Sequence, residues 1–323
     1  MLGGSLMLGT STLMFAGASS VEGLVFSRLL QGLAASANFT PALALLSDLT
    51  PESTLGEVLG EVTGWSGLGM LLGPPLGGVL YSWVGYSFPF IVGSVFCFLQ
   101  AALVYFLLEE SKHKKASFSQ DVSLIRLEFI QIIGVIVIGS ASLTMLEPIV
   151  PLILQNKHSL SPLGMGVVFA LVVVAFGVVS PVAGKVSDKA GRRPVITLGL
   201  VGMCLLLPMV FVPESLFLET VCLVCVGAAS ALVMVPTLPE LADSVKKVES
   251  ATYDEIYATF NSSYAVGNIL GPLLGGTIAH LLGFYMALVA FSGIILCYLV
   301  FLFVPKKKKP HNKEADLFLN HNY

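Results

Sequence analysis

The chain has 323 residues, of which 55% are hydrophobic and only 11% are charged. Soluble domains carry about 25% charged residues, so this composition excludes an ordinary water-soluble protein and indicates that the lipid bilayer is its solvent. The formal net charge is −3, and no basic cluster is interleaved with aromatic residues, which gives no support for nucleic-acid binding.

Ten apolar stretches are long enough to cross a bilayer as helices, which takes about 20 residues each. They predict an all-α integral membrane protein whose spans lie at roughly 2–20, 23–47, 57–82, 87–108, 128–154, 163–186, 194–212, 216–238, 256–281 and 285–304. A long polar stretch separates the first four spans from the other six. The predicted domains are an incomplete N-terminal bundle at 1–108, a cytosolic linker at 109–127, a six-helix bundle at 128–304 and a cytosolic tail at 305–323.

A glycine-rich motif occurs twice inside these apolar stretches. The sequence from Gly73 to Gly78 returns at Gly271 to Gly276, 198 positions later (271 − 73 = 198). Small residues spaced by four allow helix backbones to approach closely, and duplicated helical halves are typical of secondary transporters. The predicted packing residues are Gly69, Gly73, Pro74, Gly77, Gly78, Gly267, Gly271, Pro272, Gly275 and Gly276.

The two copies of the motif occupy different places in their bundles. The motif helix is third in the first bundle and fifth in the second. If the halves are repeats, the first bundle lacks two helices at its beginning, so we expect an N-terminal truncation relative to a twelve-helix protein.

The distribution of basic residues predicts the orientation. With both chain ends in the cytosol, 15 of the 17 Lys and Arg residues fall on the cytosolic side, which agrees with the positive-inside rule. The opposite side carries only Lys157, and Arg28 is the one basic residue within a span.

A charged turn joins two spans of the second bundle on the predicted cytosolic side. Its candidate gating residues are Gly184, Asp188, Gly191, Arg192 and Arg193. Gly191 permits a tight turn, and Asp188 is expected to pair with Arg192 or Arg193. Such a pair at the rim is worth only about 0–1 kcal/mol, so it would bias a conformational equilibrium without dominating it. The alternative is a basic loop with no gating role.

Taken together, these motifs resemble the major facilitator superfamily. The turn from Gly184 to Pro194 resembles its loop signature, the repeated glycine motif resembles its antiporter motif, and Arg28 to Gly32 resembles the motif of its fourth helix. Met145 to Pro148 and Tyr257 to Asn261 resemble the vesicular amine transporter family of the drug:proton antiporter group. The resemblance implies two six-helix bundles, alternating access and exchange of protons for a cationic amine, with these spans as helices three to twelve.

Glu147 and Arg28 are the leading candidates for substrate or proton handling. An ionisable group at mid-membrane costs roughly 2.5–3.5 kcal/mol on insertion scales and marks a functional site by default. By resemblance, Glu147 matches a cavity-facing glutamate and Arg28 matches an arginine linked to proton coupling. The alternatives are a structural partner for Glu147 on another helix and snorkelling of Arg28 to the membrane interface.

Four further residues are candidates for the cavity. Tyr257, Asn261 and Tyr264 share one helix face, where aromatic rings suit an organic cation, although the same spacing suits helix packing. Glu61, one turn after Glu57, is predicted to face either the cavity or the cytosolic end of its helix.

Two carboxylates of the resembled family are missing, because Ala231 and Asn261 stand where its monoamine members have aspartates. The pattern is therefore closer to the polyamine-transporting branch. The alternatives are a carrier of neutral or anionic compounds, which Arg28 could serve, and a truncated form that does not transport.

The remaining predictions concern partners and location. No nucleophile–base pair, phosphate-binding loop or metal-spaced cluster occurs, so we predict a protein that is not an enzyme and binds no cofactor or metal. We also predict a monomer. Its partners are then a small substrate, protons and the bilayer. The resemblance implies a vesicle membrane, with the plasma membrane as the alternative.

Overall fold

A computed structural model describes residues 1–50, 55–107, 127–246 and 253–303. These residues form eleven helices, and none of them belongs to a strand. The predicted tail at 305–323 and all but the last residue of the predicted linker lie outside the described residues. The helices are α1 (Leu2–Gly17), α2 (Val21–Leu49), α3 (Leu55–Val84), α4 (Ser87–Leu107), α5 (Leu127–Thr144), α6 (Leu146–His158), α7 (Pro162–Ala190), α8 (Arg192–Met209), α9 (Leu216–Lys246), α10 (Tyr253–Leu282) and α11 (Phe284–Leu302).

The predicted all-α membrane fold is confirmed. Seven helical stretches of the described chain are long and apolar enough to cross a membrane. Each predicted span coincides with a helix, except that the span at 128–154 is broken into α5 and α6. Pro148 explains the break, because a proline has no N–H to donate to the carbonyl of Thr144 and its ring crowds that carbonyl.

The helices pack into two bundles, α1–α4 and α5–α11. In the first, α1 packs against α2 and α4, and in the second the most extensive contacts are those of α9 with α8 and α7 and of α10 with α5. The buried core lies mainly in the second bundle, where Ile132, Met203, Val233 and Phe291 belong to one cluster. The most extensive contact between the bundles joins α3 to α7.

The repeat detected in the sequence has a structural counterpart at the helix ends. Gly85 directly follows α3 with φ of 102°, and Gly283, 198 positions later, directly follows α10 with φ of 91°. Both values lie in the region that favours glycine, because a side chain there would clash with the backbone. The two copies of the motif therefore lead into the same kind of turn.

Two ends of the molecule can be distinguished by their connections. We call the end that carries the α7–α8 turn the basic end, since Lys185, Lys189, Arg192 and Arg193 lie there. The α6–α7 and α8–α9 connections lie at the opposite end. With α5 and α6 counted as one broken span, the connections described in the second bundle alternate between these ends.

Candidate functional site

Glu147 lies in the first turn of α6, immediately after the break that Pro148 imposes. Its side chain is exposed, within an apolar stretch of 32 residues from Leu127 to His158. The positive charge of Arg28 acts on its carboxyl group from a distance, since the described residues contain no ion pair between the two. An acid of the second bundle and a base of the first bundle therefore influence each other across the gap between the bundles.

Arg28 is held on α2 by an aromatic ring and an amide. Its guanidinium carbon lies 4.5 Å from the centroid of the Phe15 ring, and its Nη1 donates to Gln31 Oε1 at 3.2 Å. Gln31 in turn donates through Nε2 to Thr12 Oγ1 at 3.0 Å, which links α2 to α1. These contacts fix the arginine by a cation–π interaction and a hydrogen bond, and leave the residue exposed.

The same arginine lines an open cavity between α1 and α2. The cavity has a volume of about 360 Å³ and is otherwise lined by Phe15, Leu24, Val25 and Leu29. Its walls are thus apolar and aromatic apart from one guanidinium. Sequence patterns did not predict the contribution of Phe15, which comes from a different helix.

On α10, the predicted face carries Asn261 and Tyr264, and Asn268 lies on the same face. Tyr264 stacks on Phe260 of the preceding turn, with ring centroids 6.3 Å apart and planes 10° apart, and both rings pack against the core cluster, so at least part of this face contacts neighbouring helices. Asn268 Oδ1 is buried and has no hydrogen-bond partner among the described residues. Sequence reasoning missed Asn268, although an amide seven residues after Asn261 in an apolar helix was a usable signal.

Two predicted cavity residues cannot be assigned a position. Tyr257 and Glu61 lie within α10 and α3, but their side chains are outside the part of the chain that the structure describes. Their roles stay predictions.

The two glycine motifs make different contacts. A Cβ on Gly271 would lie 3.0 Å from Ala141 Cα and closer still to Thr144 Oγ1 and to the Ala141 carbonyl oxygen, and Gly267 and Gly275 are similarly tight against α5 and the helix break. At Gly69, Gly73 and Gly77, a Cβ would meet no described atom within 4 Å. The predicted close approach of helices thus exists at the glycines of α10, whereas the three glycines of α3 face no described neighbour.

The close contact of α3 is made instead by Gly78, one residue further round the helix. A Cβ there would lie 2.7 Å from the Pro162 carbonyl oxygen, and Gly166 of α7 is equally tight against the backbone of Pro74. Pro74 and Gly78 therefore bring the two bundles together near the end opposite the basic one. A side chain at Gly78 or at Gly166 would force the backbones of α3 and α7 apart.

At the basic end, the predicted charged loop is largely helical. Gly184 and Asp188 lie within α7, and Gly191, with φ of 92°, is the only residue between α7 and α8. The prediction of a polar loop from residue 184 was wrong because the sequence loses hydropathy there but has no helix breaker before Gly191.

The arginines of this turn pair with α9 and not with Asp188. Arg193 Nε donates to Glu240 Oε1 at 2.9 Å, and Arg192 bonds to Asp243 and, at 2.8 Å, to the Pro239 carbonyl oxygen. The pairing partners were missed because they lie 47 to 51 residues away in the chain. The turn is therefore anchored to the end of α9.

We expect the Arg193–Glu240 pair to contribute about 0.5–1 kcal/mol, because both side chains are only partly buried. A double-mutant cycle with Arg193→Gln and Glu240→Gln, read out as unfolding free energy in detergent, measures this coupling. Lys189→Gln combined with Glu240→Gln is the matched control and should be additive. Additivity in the Arg193 cycle would show that the pair contributes nothing.

Comparison with known proteins supports the architecture. The chain is 25% identical over 316 residues to the synaptic vesicular amine transporter of Homo sapiens, covering 97% of this chain and 62% of that protein. It is 29% identical over 276 residues to the MFS-type transporter SLC18B1 of Mus musculus, covering 80% of this chain and 60% of the relative. The chain thus spans about three fifths of the length of these relatives.

Solved structures with the same fold are also found. A bacterial homolog of the human lysosomal transporter Spinster, in an inward-facing and occupied conformation, superposes with a TM-score of 0.75 at 14% identity, covering 94% of this chain and 81% of that one. The human organic anion transporter MFSD10 superposes with a TM-score of 0.61 at 17% identity, covering 93% and 76%. The Major Facilitator Superfamily profile matches residues 1–136 and 132–320, and the chain therefore belongs to this superfamily.

Proposed function

We propose that this chain forms part of a secondary active transporter that exchanges protons for small organic cations. The observation that carries the proposal is the exposed Glu147 of the second bundle, which lies inside an apolar span and within reach of the charge of Arg28. A carboxylate in this environment attracts a cation, and loses that attraction when it takes up a proton. The vesicular amine transporters among the relatives support a cationic amine as cargo.

The proposed transport step is a rocking of the two bundles about the α3–α7 contact. Gly78 and Gly166 close the bundles against each other near the end opposite the basic one. The Arg192 and Arg193 pairs hold α8 to α9 at the basic end, and α7 is joined to α8 through the single residue Gly191, so these three helices would move as one body. Opening at one end while closing at the other gives alternating access to Glu147.

The basic residues favour an orientation in which the basic end faces the cytosol. In this orientation the α3–α7 contact lies on the side facing the lumen or the cell exterior. Residence in a secretory-type vesicle is our proposal from the names of the relatives, with the plasma membrane as the alternative.

A second candidate is a carrier of anionic compounds, and it rests on Arg28. This guanidinium lines the cavity between α1 and α2, whose other walls are apolar. An anion would pair with Arg28 directly. The two candidates therefore differ in which charge of the Arg28–Glu147 couple contacts the cargo.

Proton-gradient-driven uptake into proteoliposomes tests the proposal. Labelled spermidine, serotonin and a monocarboxylate are supplied in separate assays, to this chain and to a version extended by two N-terminal helices. We expect uptake of an amine that stops when the gradient is collapsed. Uptake of the monocarboxylate alone would favour the anion carrier, and uptake of none of the three by either version would contradict the proposal for these cargoes.

A further inference from the structure

A buried charged cluster at the end opposite the basic one has no part in the proposed transport site. Glu219, in the first turn of α9, is completely buried. Its Oε2 lies 2.9 Å from His158 Nε2 and 3.5 Å from Lys157 Nζ, both in the last turn of α6. Because burying a charge is costly unless it is paired, three ionisable groups gathered here need a specific explanation.

The cluster joins three segments that are far apart in the sequence. Lys157 Nζ also donates to the Phe211 carbonyl oxygen at 3.1 Å and to that of Pro213, so the α8–α9 connection is tied in as well. The polarity suits the helix ends, since the carboxylate lies at a helix N-terminus and the two bases at a helix C-terminus. The contacts therefore fix the far end of α6.

The two carboxylate oxygens of Glu219 differ in their contacts. Both bases approach Oε2, whereas Oε1 is buried and has no hydrogen-bond partner among the described residues. One carboxylate oxygen thus concentrates the charge beside His158. Among these groups, histidine is the one whose ordinary pKa lies between pH 5 and 8.

Four other titratable groups lie near this end of the molecule. Cys222 follows Glu219 by about one turn on α9, and Glu214 is exposed in the α8–α9 connection. His280 lies in the last turn of α10, and the ring of Tyr285 on α11 packs against Phe211 with centroids 5.8 Å apart. Within the described chain, Glu219 forms ion pairs only with Lys157 and His158.

We propose that His158, Glu219 and Lys157 form a proton-binding clasp that fixes the end of α6, and that uptake of a proton by His158 tightens it. A neutral His158 keeps one hydrogen bond to Glu219, and a protonated His158 adds a full ion pair in a buried place. The clasp holds the C-terminal end of α6, a helix of 13 residues. Glu147 lies in the first turn of the same helix, just after the break between α5 and α6. Acidification of the compartment that faces the end opposite the basic one would thus hold α6, the helix that carries Glu147, more firmly.

Hydrogen–deuterium exchange of the full chain in lipid nanodiscs tests the clasp at pH 5.5 and pH 7.5. After correction for intrinsic exchange, we expect amides of the α6–α7 and α8–α9 connections to be up to about tenfold better protected at pH 5.5 than at pH 7.5, because proton uptake that strengthens the clasp stabilises the closed state. The readout is structural, so it gives a result whether or not the chain transports amines.

Two histidine variants make the test specific. His158→Gln should remove the pH-dependent part of the protection, and His280→Gln, at the same end but outside the clasp, should keep it. Glu219→Gln should lower protection at both pH values. If Glu219→Gln does not fold, the comparison of the two histidine variants still shows whether the pH-dependent protection depends on His158. Equal protection of the wild-type chain at both pH values, or a pH effect that survives in His158→Gln, would overturn the proposal.

Discussion

Replacing Glu147 by glutamine is expected to abolish proton-driven uptake of an organic cation. The substitution keeps the size of the side chain but removes the charge that attracts the cargo and takes up the proton. Without a group that takes up the proton, transport loses its coupling to the gradient, so we expect uptake to fall to the level of liposomes without protein. The initial rate of uptake into proteoliposomes under a proton gradient, in the extended version if only that version is active, measures this loss.

The same variant distinguishes cargo binding from proton coupling. Glutamine resembles the protonated acid, so a Glu147 that handles only protons would leave exchange of labelled for unlabelled cargo intact when no gradient is present. A Glu147 that binds the cargo would lose this exchange as well. Glu22→Gln, an exposed acid in the first turn of α2, is the control and should transport normally. Unchanged gradient-driven uptake by Glu147→Gln would remove this residue from the mechanism.

Adding one methyl group at Gly271 is expected to destabilise the second bundle by about 1–3 kcal/mol. The new Cβ would overlap the carbonyl oxygen of Ala141 and the hydroxyl of Thr144, and a backbone atom cannot move aside as the end of a flexible side chain can. At Gly271, α10 packs closely on the last turn of α5, directly before the break to α6. The midpoint of unfolding in a denaturing detergent titration measures the change.

Gly276→Ala is the matched control for this experiment, because it lies in the same motif and the same helix. A Cβ at Gly276 would meet no described atom within 4 Å. Alanine favours a helix over glycine by about 1 kcal/mol, so this variant should be neutral or more stable. Equal destabilisation by both substitutions would mean that the close contact with α5 is not what requires glycine at 271.

Much of the architecture could be predicted from local sequence. A membrane helix must satisfy its backbone internally and present an apolar surface, so a run of about 20 apolar residues predicts a span without knowledge of its neighbours. The repeated glycine motif revealed the two related halves, and the paired turns at Gly85 and Gly283 carry the same relation into the backbone. Arg28 and Glu147 were found as candidates because a charge inside an apolar span is conspicuous.

Contacts between distant segments were decided only by the tertiary structure. Hydropathy marked the end of a span near residue 184 but could not show that α7 continues to Ala190, because a helix can leave the membrane without ending. The partners of Arg192 and Arg193 on α9 were invisible to spacing rules, which compare residues within a few turns.

The buried cluster around Glu219 illustrates the same limit. In the sequence, Glu219 is an acid at the start of a span, and His158 is one of five scattered histidines. Only the tertiary structure brings the last turn of α6 to the first turn of α9, where His158 Nε2 lies 2.9 Å from Oε2 of the fully buried Glu219. Apolar length and repeated motifs thus determine which segments cross the membrane, whereas the pairing of charges depends on how these helices are placed against one another, since electrostatic contacts need proximity and not sequence order.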